Sequence, residues 1–404
     1  MLLTAVRKVC LSMLLVTYLI AGAYLCLAQA NDSAPAATAA KPQQTAQSSS
    51  TDKASEKDSE KKRKERHKWN PNGSFVIAPL PTVSPAIGAG LIPIVGYITP
   101  IPVTDRKITP SVIGAAGLIT NNGSRAWGLA SDLYLNKAQY ELEALYGHGN
   151  IDYNLYGPGF ANGNAGLKLP LSQEGHLFFF KTLRSIRWHS YAGIRFIDGT
   201  SFITLKPSSG NLPPIPPDVG LHTNLRALGM EFWRDSRPNR FYPLKGSVVD
   251  FTGDFFAQDL GSKYSYQSYK LTFNKYWSLT SKQVVAYNFF WCGTGGSPPF
   301  YGQCIYGTNN ELRGYTAGRY LDRFMFATQA EYRLVLPWRF GLVGFAGVGQ
   351  VTPGGDQLRV NQFLPAGGTG IRYMLSKSYH VNLRTDFAWG KDNFTWAVGV
   401  GEAF

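Results

Sequence analysis

From Asn70 onward, apolar and polar positions alternate with a period of two in short segments separated by turn residues. In the last segment Phe394, Trp396, Val398 and Val400 share one face, while Thr395, Ala397, Gly399 and Gly401 share the other. The segment before it sets Val381, Leu383, Phe387 and Trp389 against Asn382, Arg384, Asp386 and Gly390. At 324–336, Phe324, Phe326, Ala330, Tyr332, Leu334 and Leu336 oppose Gln329, Glu331 and Arg333. Near 140, Tyr140, Leu142, Ala144 and Tyr146 oppose Gln139, Glu141 and Glu143. Successive side chains of a strand point to opposite faces, so each segment predicts an amphipathic β-strand. Aromatics sit at the ends of the oily faces, and ionised pairs occupy the other faces. A soluble sandwich encloses its oily face, whereas a membrane barrel turns that face to lipid. Periodicity alone does not separate the two.

Sixteen such segments are predicted, near 74–80, 86–97, 109–119, 124–135, 138–150, 164–183, 187–203, 221–233, 246–257, 264–278, 281–292, 322–336, 339–351, 364–375, 379–389 and 394–404. An even number brings both ends of the series to the same side. The connections then alternate in length. Asn136-Lys137, Pro337-Trp338 and Ser376-Lys377-Ser378 read as tight turns at one end, and 204–220, 293–321 and 352–363 as long loops at the other. Outer-membrane barrels place short turns in the periplasm and long loops outside.

Composition is that of a membrane barrel, and the leader, the lack of a second core-forming region and the motifs below decide for it. Aromatic residues reach 14%, Gly is 43 of 404, and charged residues are 16%, against about 25% in soluble domains. No uninterrupted apolar run after residue 30 is long enough for a membrane helix. Residues 1–30 read as a secretory signal peptide: Arg7 and Lys8, then the apolar stretch Leu11 to Leu27, then the small-residue site Ala28-Gln29-Ala30. Residues 31–69 are rich in Ala, Ser, Gln, Thr and Lys, cannot bury enough surface to offset chain entropy, and predict a disordered periplasmic segment. The formal charge of +14 is scattered along strands and turns, which argues against a nucleic-acid partner. The run Lys61-Lys62-Arg63-Lys64 is interleaved with Glu56, Glu60 and Glu65 and reads as a solvated tether, with anionic lipid head groups as its functional alternative.

Catalytic chemistry is not visible. His67, His148, His176, His189, His222 and His380 lie in no metal-ligand spacing, and the chain has no Gly-x-Ser-x-Gly elbow or phosphate-binding loop. The expectation is a chain that is not an enzyme and holds no metal or cofactor. Once the signal is removed, Cys292 and Cys304 are the remaining cysteines. In an oxidising envelope such a pair predicts a disulfide, which restrains the unfolded chain by roughly 3 kcal/mol.

Several motifs then point to one family. Glu311-Leu312-Arg313-Gly314-Tyr315 stands in a long Gly-rich loop before the last five segments, and Asp235-Ser-Arg-Pro-Asn-Arg-Phe-Tyr-Pro-Leu-Lys-Gly246 precedes the ninth. Tyr332, Arg333, Leu336 and Pro337 follow the loop, and Gly368, Gly370, Arg372, Leu383, Arg384 and Asp386 mark the penultimate strands. As a set these resemble the Omp85 superfamily, the BamA, TamA and D15 surface-antigen barrels. The resemblance covers most of 220–404, and the earlier half matches in texture only.

The resemblance implies an all-β fold: a 16-stranded antiparallel transmembrane β-barrel with a long inward-folding loop between strands 11 and 12. It implies that Arg313 anchors this loop in the lumen, with Gly314 and Tyr315 beside it and the inward-facing Glu331 and Asp386 as carboxylate partners. Relatives often carry an aspartate where this chain has Gly347, so one customary partner is missing. Phe404, with Trp396, Val398 and Val400, resembles the carboxy-terminal aromatic signal read by the barrel-assembly machinery. The low-complexity segment is too short for the POTRA domains of BamA-like relatives, so the expectation is a POTRA-less, monomeric member. Its expected surroundings are outer-membrane lipids, the assembly machinery for its own insertion, and client outer-membrane proteins or a separate periplasmic partner. The implied role is outer-membrane biogenesis, through protein insertion or lipid handling, with a weak seam between first and last strands that Gly399 and Gly401 soften. The alternative is a loop-plugged pore or structural barrel.

Overall fold

A computed structural model describes residues 73–84, 86–99, 111–166, 168–207, 219–239, 242–307, 311–376, 381–391 and 393–404. The expected signal peptide (1–30) and low-complexity segment (31–69) lie outside the described residues, as do most of the 204–220 loop and the turn after Ser376.

The alternating segments form strands β1 (Ser74–Ser84), β2 (Gly88–Ile98), β3 (Val112–Thr120), β4 (Arg125–Leu135), β5 (Tyr140–Leu155), β6 (Leu169–Ser185), β7 (Ser190–Leu205), β8 (His222–Asp235), β9 (Gly246–Phe256), β10 (Tyr266–Thr280) and β11 (Gln283–Gly296). After a long connection come β14 (Phe324–Val335), β15 (Phe340–Thr352), β16 (Leu364–Ser376), β17 (Val381–Gly390) and β18 (Asn393–Val400). Each pairs antiparallel with its neighbours, and β1 meets β18, so the sixteen strands close into a barrel. The long connection holds a small hairpin, β12 (Cys304–Ile305) against β13 (Leu321–Asp322), and a short helix α1 (Phe160–Ala165) follows β5. Neither shows in the alternation, because each is too short to establish a period.

The two faces settle what periodicity left open. Phe75, Ile77, Trp127, Leu129, Tyr146, Ile194, Trp389, Phe394 and Trp396 are exposed on the outside. Glu141, Glu143, Lys181, Glu231, Glu331, Arg333, Arg372 and Asp386 are buried on the inside. An oily exterior around a charged interior suits lipid outside and a polar lumen within. The expected Asn136-Lys137 turn falls one residue later: the Gln139 N–H donates to the Asn136 carbonyl at 3.1 Å, and Lys137 and Ala138 between them have φ of 57° and 62°, the left-handed geometry that joins twisted strands in a two-residue hairpin.

The far wall is braced from within. Lys181 on β6 lies 3.0 Å from Glu143 of β5 and 3.1 Å from Glu231 of β8. Arg195 on β7 reaches Glu231 at 3.2 Å and Asp254 of β9 at 2.9 Å. These charges are buried, so a missing partner would be costly. They tie five consecutive strands together.

The last strand departs from the expected 394–404. It stops at Val400, where Gly401 adopts φ 93° and donates its N–H to the Asn382 carbonyl at 2.6 Å. That positive φ suits glycine and turns the chain inward. Phe404 therefore does not continue the outer face of Trp396, Val398 and Val400. It is buried with Ala403 against Tyr276 of β10 and Ala286 of β11. The signal expected of these four residues is thus divided between two faces of the wall. Gly399 faces inward, and the Arg384 side chain lies 3.1 Å from where its Cβ would stand.

Candidate functional site

The connection between β11 and β14 packs against the inner wall. Tyr306, Leu312, Tyr315 and Tyr320 are buried together with Met325 of β14 and Leu364 of β16. The Tyr306, Tyr315 and Tyr320 rings meet edge to face at 5.2, 6.4 and 5.7 Å, a favoured aromatic geometry. Cys292 at the end of β11 and Cys304 of β12 are bonded to each other, which joins the root of the loop to the wall.

Arg313 sits at the tip. Its Nη2 lies 2.5 Å from Glu331 Oε2 on β14, and its Nη1 lies 3.1 Å from Asp386 Oδ2 on β17. Nε donates to Gln329 Oε1 at 3.0 Å, and the guanidinium stacks on Phe345 of β15 with its carbon 3.4 Å from the ring centroid. One planar cation thus meets three strands of the wall through three hydrogen bonds and a ring face. Gly314, at φ 108°, runs against the backbone of Trp389 and Gly390, where a Cβ would come within 3.0 Å of the Gly390 nitrogen. Both the conformation and the close approach require glycine. The Tyr315 hydroxyl donates to the Pro365 carbonyl at 2.6 Å and accepts from the Lys391 N–H at 3.0 Å.

The structure therefore brings Arg313, Gly314, Tyr315, Glu331 and Asp386 together. The missing acid at Gly347 also has a physical counterpart. Leu312 of the loop stands 2.6 Å from where a Cβ on Gly347 would be, so the loop occupies the space that a side chain there would take.

Gln329, Phe345 and a wider set of arginines were not among the expected partners. Glu331 also holds Arg333 at 2.6 Å and lies 3.9 Å from Arg372. Asp386 holds Arg372 at 2.6 Å and Arg384 at 3.4 Å. Glu402 accepts from Arg372 at 2.9 Å and from Asn382 at 2.6 Å, and Arg333 donates to the Phe404 carbonyl at 3.0 Å. Inward alternation was a usable signal for Arg333, Arg372 and Arg384. No pattern indicated Glu402, because it follows the turn at Gly401.

The Asp-x-Arg motif closes the same end. Arg237 forks onto Asp235 at 3.0 and 2.8 Å, and its guanidinium lies 5.9 Å from the Tyr276 ring. Arg333 lies 5.7 Å from both the Tyr276 and Phe404 rings. A cavity of about 40 Å³ separates the loop tip from the strand junction, lined by Ser84, Leu312, Arg313, Arg384, Asp386 and Val398.

That junction is unlike the others. β17 and β18 pair from Leu383↔Val400 to Gly390↔Asn393, and β1 pairs with β2 from Ser74↔Ile98 to Ser84↔Gly88. Between β1 and β18 the register holds one pair among the described residues, Val83↔Val398. The ring closes through a seam.

A closed antiparallel ring with an oily belt, a charged lining and an arginine-pinned loop defines an outer-membrane β-barrel. The chain belongs to the Omp85 superfamily, whose domain model matches residues 190–404. Among solved structures it is similar to BamA from Haemophilus ducreyi lacking POTRA domains 1–3, at 14% identity and a TM-score of 0.55, covering 82% of this chain and 70% of that one. It is also similar to CdiB from Escherichia coli, at 8% identity and a TM-score of 0.54, covering 82% of this chain and 62% of that one. At these identities the likeness is one of fold. No curated protein matches the sequence.

Proposed function

We propose that this barrel takes part in outer-membrane biogenesis, assisting the insertion of other barrels or the handling of lipids, and that the β1–β18 seam is its working part. The short register of the seam, one pair (Val83↔Val398) among the described residues, carries the reading. A strand edge with unspent N–H and C=O groups can add an incoming strand, and breaking one pair costs little beside breaking a full ladder. The loop lock complements this, because Arg313 ties β14 and β17 to the loop while the seam stays loose. The buried charges act as structural pairs rather than as acid–base groups, so the reading is non-catalytic. In orientation, the tight turns and the chain before β1 face the periplasm and the long loops face outward. Outer-membrane lipids, the assembly machinery and client barrels, or a separate periplasmic protein, are its partners.

The packed loop also favours a second reading, a loop-plugged pore. Planar-bilayer conductance before and after deletion of residues 305–318, combined with depletion of the protein in cells, separates the two. Under the biogenesis reading the intact protein conducts little and its depletion lowers the amounts of other outer-membrane barrels. A large conductance gated by this loop, with other barrels unaffected by depletion, would establish the pore and refute the reading.

A further inference from the structure

Which edge of the seam receives a strand follows from the prolines of β1. Pro79 stands directly opposite Pro93 in the β1–β2 register. Proline has no N–H, so two facing prolines cannot exchange bonds, and their pair must be a non-hydrogen-bonded one. The flanking pairs Ala78↔Ile94 and Leu80↔Ile92 then carry the bonds to β2. By alternation, the backbone polar groups of Phe75, Ile77, Pro79, Pro81 and Val83 point away from β2, towards the seam.

Pro93 shows what a proline does to such an edge. Its own outward groups point to β3, and there the register passes from Leu91↔Ile119 to Ile94↔Ala116, omitting the position of the missing donor and that of Ile92 before it. On β1, two successive seam-facing positions lack donors. Continued from Val83↔Val398, the ladder would set Pro81 against Val400 and Pro79 against Glu402. Pairing is absent there, β18 ends at Val400, and Gly401–Phe404 turn into the lumen instead. The other edge is intact. Val83 points to the seam, so Val398 answers it, and Phe394, Trp396 and Val400 share that direction. None of them is proline, and Phe394 and Trp396 are exposed at 50% and 46%.

We infer that the seam is one-sided: Pro79 and Pro81 close the β1 edge to strand pairing, and an incoming extended polypeptide strand is received by β18. This rests on the biogenesis reading and specifies its receiving surface. The prolines lie on the exposed outer face of an edge strand, where proline is tolerated and where it blunts unwanted pairing. The two edges are also staggered, because Ile77 lies beyond the end of β18 and Trp396 beyond the end of β1. A reporter at each position therefore reads one edge.

The test places a photoreactive phenylalanine analogue at Ile77 or at Trp396 in the full chain, reconstituted in lipid nanodiscs. The probe is a synthetic peptide with the sequence of residues 74–84, valine replacing both prolines. Labelling from Trp396 is expected to exceed labelling from Ile77 by about tenfold, the loss that two absent donors produce. Equal labelling, or more from Ile77, would overturn the one-sided seam and leave the biogenesis reading standing. Labelling from neither would remove strand pairing from that reading altogether. Pro79→Val with Pro81→Val should raise labelling from Ile77 to the level seen from Trp396. If folded barrels carrying both changes label as before, the prolines do not set the side.

Discussion

Replacing Glu331 by glutamine is expected to be the most damaging single change in the barrel wall. This carboxylate accepts from Arg313 at 2.5 Å and Arg333 at 2.6 Å, with Arg372 at 3.9 Å. Glutamine keeps the shape and removes the charge, so three buried guanidinium groups lose their shared counter-ion. Removing one partner from a buried ionic network costs about 3–5 kcal/mol. Arg333 also carries the Phe404 carbonyl and stacks near Tyr276, so the damage should spread from the loop to the closed end of the lumen. Folded barrels resist unfolding in detergent on cold gels, and Glu331→Gln should convert to the unfolded band at a much lower temperature than the unaltered chain. Unchanged heat resistance would mean that the arginines find other partners and that Glu331 is not the hub.

Arg313→Ala should cost less, and the structure says why. Without Arg313, Glu331 still holds Arg333, and Asp386 still holds Arg372 and Arg384. The wall stays paired and the loop alone loses its anchor, together with the stack on Phe345. Charge-assisted hydrogen bonds are worth about 1.5–3 kcal/mol each, part of which water in the lumen returns. Arg313→Lys is the sharper variant. Lysine keeps the charge, but it has no planar fork to serve Gln329, Glu331 and Asp386 at once and no flat face for Phe345. Its heat resistance should therefore fall nearly as far as that of Arg313→Ala. Full heat resistance in both would show that the loop is held by its tyrosines and the Cys292–Cys304 bond rather than by this residue.

Most of the barrel was legible in the sequence because alternation reports a strand wherever one face meets lipid and the other meets charge. The segments at 124–135, 246–257 and 339–351 agree with β4, β9 and β15 to within a residue or two. The last strand was misjudged at its end for a reason that periodicity does not carry. Glu402 and Phe404 keep the alternation of Trp396 and Val400, yet the ladder they would join needs donors on β1 that Pro79 and Pro81 do not have. The lock was legible in part: the loop motif and inward alternation indicated Arg313, Glu331 and Asp386. Gln329 and Phe345 were not indicated, because polar or aromatic residues facing a lumen are common and only the docked loop selects among them. The Lys181 and Arg195 network was hidden for the same reason. Its members come from five strands, and sequence alone does not set their register.

The β1–β18 seam can be locked shut and its function measured directly. Val83 and Val398 are paired across it with side chains on the outer face, so Val83→Cys with Val398→Cys can be joined by a disulfide and released by reductant. The quantity to measure is the rate at which an unfolded outer-membrane barrel folds into liposomes that contain this protein, with the unaltered chain under the same reductant as control. If the seam is the working part, the reduced pair accelerates folding as the unaltered chain does and the oxidised pair does not. Equal acceleration by the oxidised pair would contradict that role.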